Sequence, residues 1–200
     1  MKKLLKLKFS LFILIIGLSA CMNNYPPIPK EKAYHSIKYP PKSYQNYINI
    51  DCPYTFEYPV YANINNEVLF FNDKPSDPCW ANIEFDQFKA KLHLSYKAIE
   101  SKEDVEKVFN DTRELTWKHT VKAQFIDEHA IEKPNNVSGM YYAVGGNAAS
   151  SIQFFLTDSS QHFLRASLYF NTRPNRDSLN EVIEFLETDV MHFIETFQWK

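Results

Sequence analysis

The sequence predicts an α+β domain, a curved antiparallel sheet with helices packed on it. Three observations carry this. First, Ile152, Phe154 and Leu156 alternate with other residues before Asp158-Ser159-Ser160-Gln161. Leu164, Ala166, Leu168 and Phe170 do the same after it, which is the pattern of a β-hairpin. Second, Ala90, Leu92, Leu94, Tyr96 and Ala98 alternate with Lys89, Lys91, His93, Ser95 and Lys97, as in a strand with one buried and one wet face. Third, Leu179, Val182, Ile183, Leu186, Val190, Phe193, Ile194 and Phe197 recur at helical spacing and make one wide apolar stripe near the C-terminus.

The chain opens with a basic segment holding Lys2, Lys3, Lys6 and Lys8, followed by the apolar run Phe9–Leu18. That run is too short for an ordinary transmembrane helix and fits a signal peptide. It ends in Leu18-Ser19-Ala20-Cys21, a lipobox, so residues 1–20 are expected to be removed and Cys21 to carry the lipid. Several acyl chains on one cysteine anchor a soluble domain firmly, at about 0.8 kcal/mol per buried CH₂. Residues 21–50 read as the lipidated N-terminus and a tether, because Pro26, Pro27, Pro29, Pro40 and Pro41 favour extended polyproline II. Residues 51–200 read as a single globular domain.

Within that domain, "TFEYPVYANI" is an aromatic strand interrupted by Pro59, which suits a sheet edge. Glu67–Phe71 is a further strand candidate and Asn72–Cys79 a loop. Ser101 with Asp104 marks a helix start, and Val105, Val108, Thr112, Leu115 and His119 share one face of a helix expected to end near Val121–Ala123. Strands are expected at about Phe125–Ile131 and Ser138–Val144, with Pro134, Asn135 and Asn136 as the turn. Ser178 with Glu181 is a capping box opening the last helix. The element order resembles the Mog1/PsbP-like group: early strand, middle helix, a run of antiparallel strands, C-terminal helix.

Composition excludes several functions. Removing residues 1–20 takes away four lysines, leaving 18 basic against 24 acidic side chains, a net charge of −6. That balance, with no basic run, argues against nucleic-acid binding. With Cys21 lipidated, Cys52 and Cys79 remain as an even pair in an oxidising compartment; a disulfide is expected, with two buried free thiols as the alternative. No C-x-x-C or histidine spacing suggests a metal site. The six histidines, at 35, 93, 119, 129, 162 and 192, show no ligand pairing. No cofactor is expected.

The stretch "VGGNAASS" holds Gly145, Gly146 and Asn147. A phosphate loop leads from a strand into a helix, whereas this one leads into another strand and lacks the following Lys-Ser/Thr. A serine nucleophile at Ser150 or Ser151 would need the G-x-S-x-G elbow, which is missing. The loop therefore reads as a turn or bulge in which glycine tolerates positive φ. On the hairpin, Phe155, Phe163 and Tyr169 fall opposite the Leu/Ile face. If the sheet is covered on one side only they form an exposed patch for a partner; if on both sides they are core.

"CPYTFEYP", "LHLSYK", "KHTVKA", "RPNRDSL", the terminal "FQW" and above all the block Gly139–Phe170 resemble the gliding-motility-associated lipoprotein GldD family of Bacteroidota. The resemblance implies a non-enzymatic cell-envelope lipoprotein of the gliding machinery and its coupled type IX secretion system. The partners it implies are other envelope lipoproteins of that machinery, and the membrane through the lipid. It supplies no catalytic residues. Surface-exported lipoproteins of Bacteroidota carry acidic residues after the lipidated cysteine, and "MNNYPPIPK" has no run of them, so an outer-membrane anchor facing the periplasm is expected. The alternative is a lipid-tethered enzyme or small-ligand-binding domain with a pocket near Gly145-Gly146.

Overall fold

The computed structural model describes residues 36–66 and 77–200. The signal segment 1–20, Cys21, residues 21–35 and the strand expected at Glu67–Phe71 lie outside the described residues. Lys38–Lys200 form one compact unit.

The chain order is β1 (Tyr44–Ile48), β2 (Tyr54–Pro59), β3 (Asn63–Asn65), β4 (Ala81–Phe85), β5 (Ala90–Ala98), α1 (Lys102–Trp117), β6 (Ala123–Lys133), β7 (Val137–Gly146), β8 (Ser150–Thr157), β9 (His162–Phe170), α2 (Arg176–Thr196) and β10 (Gln198–Trp199). The class is α+β, as the patterns require. Among the described residues the strands divide into two antiparallel sheets rather than one: a small sheet β1-β2-β10 and a large sheet β3-β4-β5-β9-β8-β7-β6. The division rests on two short pairings. β1 lies inside the proline-rich stretch 21–50, where Tyr47 pairs with Phe56 and stacks on its ring at 4.6 Å. The folded unit thus starts before residue 51. β10 pairs Gln198 with Thr55 and Trp199 with Tyr54.

Phe193 of α2 lies 4.2 Å from the Phe56 ring of the small sheet and 5.5 Å from the Phe154 ring of the large one, so α2 packs against both. Each of these fully buried rings contributes about 2–3 kcal/mol of burial. The stripe that buries Val182, Ile183, Leu186, Val190, Phe193 and Ile194 also buries Asp189. The disulfide Cys52–Cys79, with Cα atoms 5.4 Å apart, joins the chain just before β2 to the chain just before β4. Tyr54 OH donates to the Cys79 carbonyl beside it at 2.5 Å.

Helix α1 starts as expected: Ser101 Oγ accepts from Asp104 N at 3.1 Å, and Asp104 Oδ2 accepts from Ser101 Oγ at 3.0 Å. Its buried face is Val108, Thr112 and Thr116, not Leu115, and the α-helix stops at Trp117, followed by a 3₁₀ turn over Lys118–Val121. Helix α2 corrects the capping-box expectation. It begins at Arg176 with Asn175 as N-cap, and Ser178 Oγ donates to the Asn175 carbonyl at 3.4 Å. Its end groups are met by the sheet instead. Asn147 Oδ1 accepts from Arg176 N at 2.9 Å at one end, and Lys133 Nζ donates to the Phe197 carbonyl at 2.8 Å at the other.

Candidate functional site

The glycine loop is built into the fold at every residue. β7 runs through Gly145 and Gly146, and β8 resumes at Ser150. The pairing of β6 with β7 shifts between Ala123 and Ile126, so Gln124 and Phe125 together oppose Gly145, a β-bulge. Gly146 takes φ +83°, where L side chains are disfavoured, and a Cβ there would lie 2.8 Å from Gln124 N and 2.9 Å from the Lys122 carbonyl oxygen. A Cβ on Gly145 would run into the Phe125 ring. Asn147 keeps a negative φ and spends its side chain on the first turn of α2. Beside the loop is a dent lined by Gly146, Ala148, Ser151, Phe170, Arg176 and Leu179, with room for about one water (10 Å³).

The hairpin aromatics are divided by α1. Phe155 and Phe163 are only 7% and 3% exposed. Phe109 of α1 meets their rings edge-on at 5.2 and 5.7 Å, with Val105 and Val108 alongside. Of the two alternatives for this face, the structure shows coverage by a helix, so these two rings do not form an exposed contact patch. Tyr169, farther along the same face, stays half exposed, its ring 6.3 Å from that of His93.

The exposed apolar surface lies elsewhere. Leu115, Trp117, Val121 and Phe125 are 43%, 44%, 85% and 48% exposed. They fall where α1 ends, the 3₁₀ turn closes and β6 begins. β6 pairs only with β7 and forms one edge of the large sheet among the described residues. Part of this was legible in the sequence: Trp117 lies off the Val108, Thr112 and Thr116 stripe that α1 buries. A second exposed pair, Ile48 and Ile50, follows the end of β1.

Polar side chains that resemble chemistry are structural. Asp189, 2% exposed, accepts from Tyr44 OH at 3.1 Å and from Tyr61 OH, and pairs with Lys42 Nζ at 2.7 Å. Lys42 also donates to the Phe185 carbonyl at 2.7 Å and sits over the Phe185 ring at 3.3 Å. Burial lowers the Lys42 pKa, with Asp189 pulling it back. Burial, then Asp189, pushes Tyr44 up to about 12. The group ties the chain before β1 to α2. His192 pairs with Glu57 at 2.7 Å, and His162 Nδ1 with Tyr96 OH at 2.7 Å. Ser150 Oγ is buried and donates to the Ile152 carbonyl at 3.1 Å. Among the described residues there is no group of three His, Cys, Asp or Glu that would hold a metal. Nor is any helix long and apolar enough to cross a membrane.

Comparison with known proteins gives one family. The pattern of the gliding motility lipoprotein GldD family matches residues 24–199. Among solved structures, the chain is similar to the solution structure of cyanobacterial PsbP (CyanoP) from Synechocystis sp. PCC 6803. The identity is 13%, covering 87% of this chain and 99% of that one, with a TM-score of 0.46. No curated protein matches.

Proposed function

The chain belongs to the gliding motility lipoprotein GldD family, and we propose that it works by binding other envelope proteins of the gliding machinery, not by catalysis. Membership makes it a lipid-anchored envelope protein with a role in gliding motility, in a family that is not a known enzyme family. Cys21 carries the lipid, the anchor sits in the outer membrane, and the domain faces the periplasm. There it meets other lipoproteins of gliding and of the coupled type IX secretion system.

The observation that supports an assembly role is the exposure of four large apolar side chains, Leu115, Trp117, Val121 and Phe125, along the segment that leads from α1 into the edge strand β6. Apolar groups gathered on a surface are a common feature of protein contact sites. The test is a chromosomal Trp117→Glu/Val121→Glu replacement. Both side chains are exposed, so the protein should accumulate and melt normally. Spreading, type IX cargo secretion and in-cell crosslinks to envelope proteins should be lost. Normal spreading and secretion in this strain would refute the patch. The same result in a gene deletion would refute the role. Loss of palmitate labelling in Cys21→Ala tests the anchor separately.

A further inference from the structure

The face of the large sheet that α1 half covers carries a row of polar residues set by strand register. Asn82 of β4 pairs with His93 of β5, His93 with Ser167 of β9, Ser167 with Gln153 of β8, and Gln153 with Tyr142 of β7. Side chains on alternate residues of a strand share a face, and cross-strand neighbours lie about 5 Å apart, so these groups form one contiguous layer. Arg165, two residues before Ser167 on β9, points into the same layer and gives Nη2 to Gln153 Oε1 at 2.6 Å.

This layer is not satisfied internally. The buried side-chain atoms without a hydrogen-bond partner among the described residues are Asn82 Oδ1, Gln153 Nε2, Arg165 Nε, Ser167 Oγ and Trp199 Nε1. Four of the five lie here. Gln153 and Ser167 are each 1% exposed and Asn82 is 6% exposed. Orphaned buried polar groups destabilise a fold, and four on one face of one sheet point to a partner outside the chain. Three of the four are donors or carry a donating hydroxyl.

The charge is one-sided as well. Among the described residues no carboxylate forms an ion pair with Arg165. Glu84, on the same face, is held by Lys91 at 2.8 Å. Glu128 lies at the far side of Tyr142, two strands beyond Gln153. A single guanidinium suits one negative charge better than two. His93 and His119 have pKa values lowered by burial and by Arg165 (Lys91 adds to this at His93), so neither adds a full charge near neutral pH. Arg165, His93 and Tyr169 are half exposed at the β5–β9 side, while the unpaired donor atoms beneath them are covered, so a ligand enters only as the Arg165 side chain shifts.

We propose that this face binds the carboxylate of a small organic acid, with Arg165 Nε, Gln153 Nε2 and Ser167 Oγ as its donors. A guanidinium edge with neutral amide and hydroxyl donors suits a flat, singly charged two-oxygen group. Arg165, Gln153 and Ser167 do not line the dent beside Gly146.

The test titrates the purified full-length lipoprotein in detergent with sodium acetate, against sodium chloride at equal ionic strength. Acetate at about 100 mM should raise Tm by roughly 3–5 °C over chloride and shift the Arg165 Nε–H resonance. Arg165→Met removes an uncompensated half-buried cation, so it should fold at least as stably as the parent while losing the acetate response. Ser167→Ala deletes an unpaired hydroxyl, should leave the fold intact, and should weaken acetate at least about threefold. The proposal falls if acetate and chloride act alike, or if acetate protects Arg165→Met as well as the parent. It also falls if inorganic phosphate moves the resonance and acetate does not.

Discussion

Replacing Gly146 by valine isolates what the glycine loop does. Gly146 sits at φ +83° with Gln124 N and the Lys122 carbonyl oxygen at 2.8 and 2.9 Å from where a Cβ would stand. An L residue in that conformation costs about 1–2 kcal/mol, and a β-branched one more. Both neighbours are main-chain atoms of the β6 bulge, so relieving the overlap means moving a strand, another 1–3 kcal/mol by analogy with overpacking. The sum is about 3–5 kcal/mol. For a unit of this size each kcal/mol moves Tm by about 2–4 °C, so Gly146→Val should melt roughly 6–20 °C below the parent. Gly145→Ala is the control. Its added carbon meets first the ring of Phe125, which is 48% exposed and can swing into solvent, so the loss should stay under about 1 kcal/mol. Thermal melts by circular dichroism decide it. A Gly146→Val variant within 2 °C of the parent, or a Gly145→Ala variant that loses more, would refute the backbone argument. A variant that keeps its Tm but abolishes spreading would make the loop a contact site instead.

Asp189→Ala should cost about 3–5 kcal/mol, because it leaves Lys42 with no counter-charge and Tyr61 OH without its acceptor; urea melts measure it, and a loss under 1 kcal/mol would show the pair to be dispensable. Reducing Cys52–Cys79, or changing both to alanine, should lower stability by about 3.5 kcal/mol for a separation of 27 residues in the chain-entropy view, read as a shift in urea midpoint. Titration of the two depressed histidines sets a pH dependence. His93 and His119 have folded pKa values below the ordinary 6.5, so their contribution is complete above that pH and is lost as pH falls through the folded values. Tm should therefore drop between pH 7 and about 5, and His93→Gln/His119→Gln should flatten that drop; parallel curves for parent and variant would exclude these groups.

What the sequence made legible follows from the range of the interactions involved. Ala90–Ala98 is a strand over the expected residues because its alternation is a local pattern that only a half-buried strand satisfies. The hairpin turn is local too: Asp158 Oδ1 accepts from the backbone N–H groups of Ser160, Gln161 and His162 at 3.0, 2.8 and 2.9 Å, all within four residues. The start of α2 shows the limit. Ser178 and Glu181 fit the capping pattern, yet the helix begins earlier because an acceptor 29 residues away, Asn147, meets the Arg176 N–H. Two-residue β10 was hidden for the same reason, since it exists only through pairing with Thr55 and Tyr54.

The polar row on the large sheet is the strongest case of information that is in the sequence but not readable along it. Asn82, His93, Gln153 and Ser167 each look like an ordinary wet-face residue of an amphipathic strand. A helix that covered the whole face would demand apolar residues at all these positions, as it does at Phe155 and Phe163. A face left wholly to water would not bury Gln153 and Ser167 to 1% exposure. The chain does neither, placing α1 over the aromatic end while its last turns reach the polar middle through Thr116, whose hydroxyl donates to Gln153 Oε1 at 3.4 Å. Only strand register reveals that the leftover donors converge around Arg165. A stability-driven design would have filled that ground with leucine, and its retention of a cation with no carboxylate partner among the described residues is the physical reason to look there for a ligand.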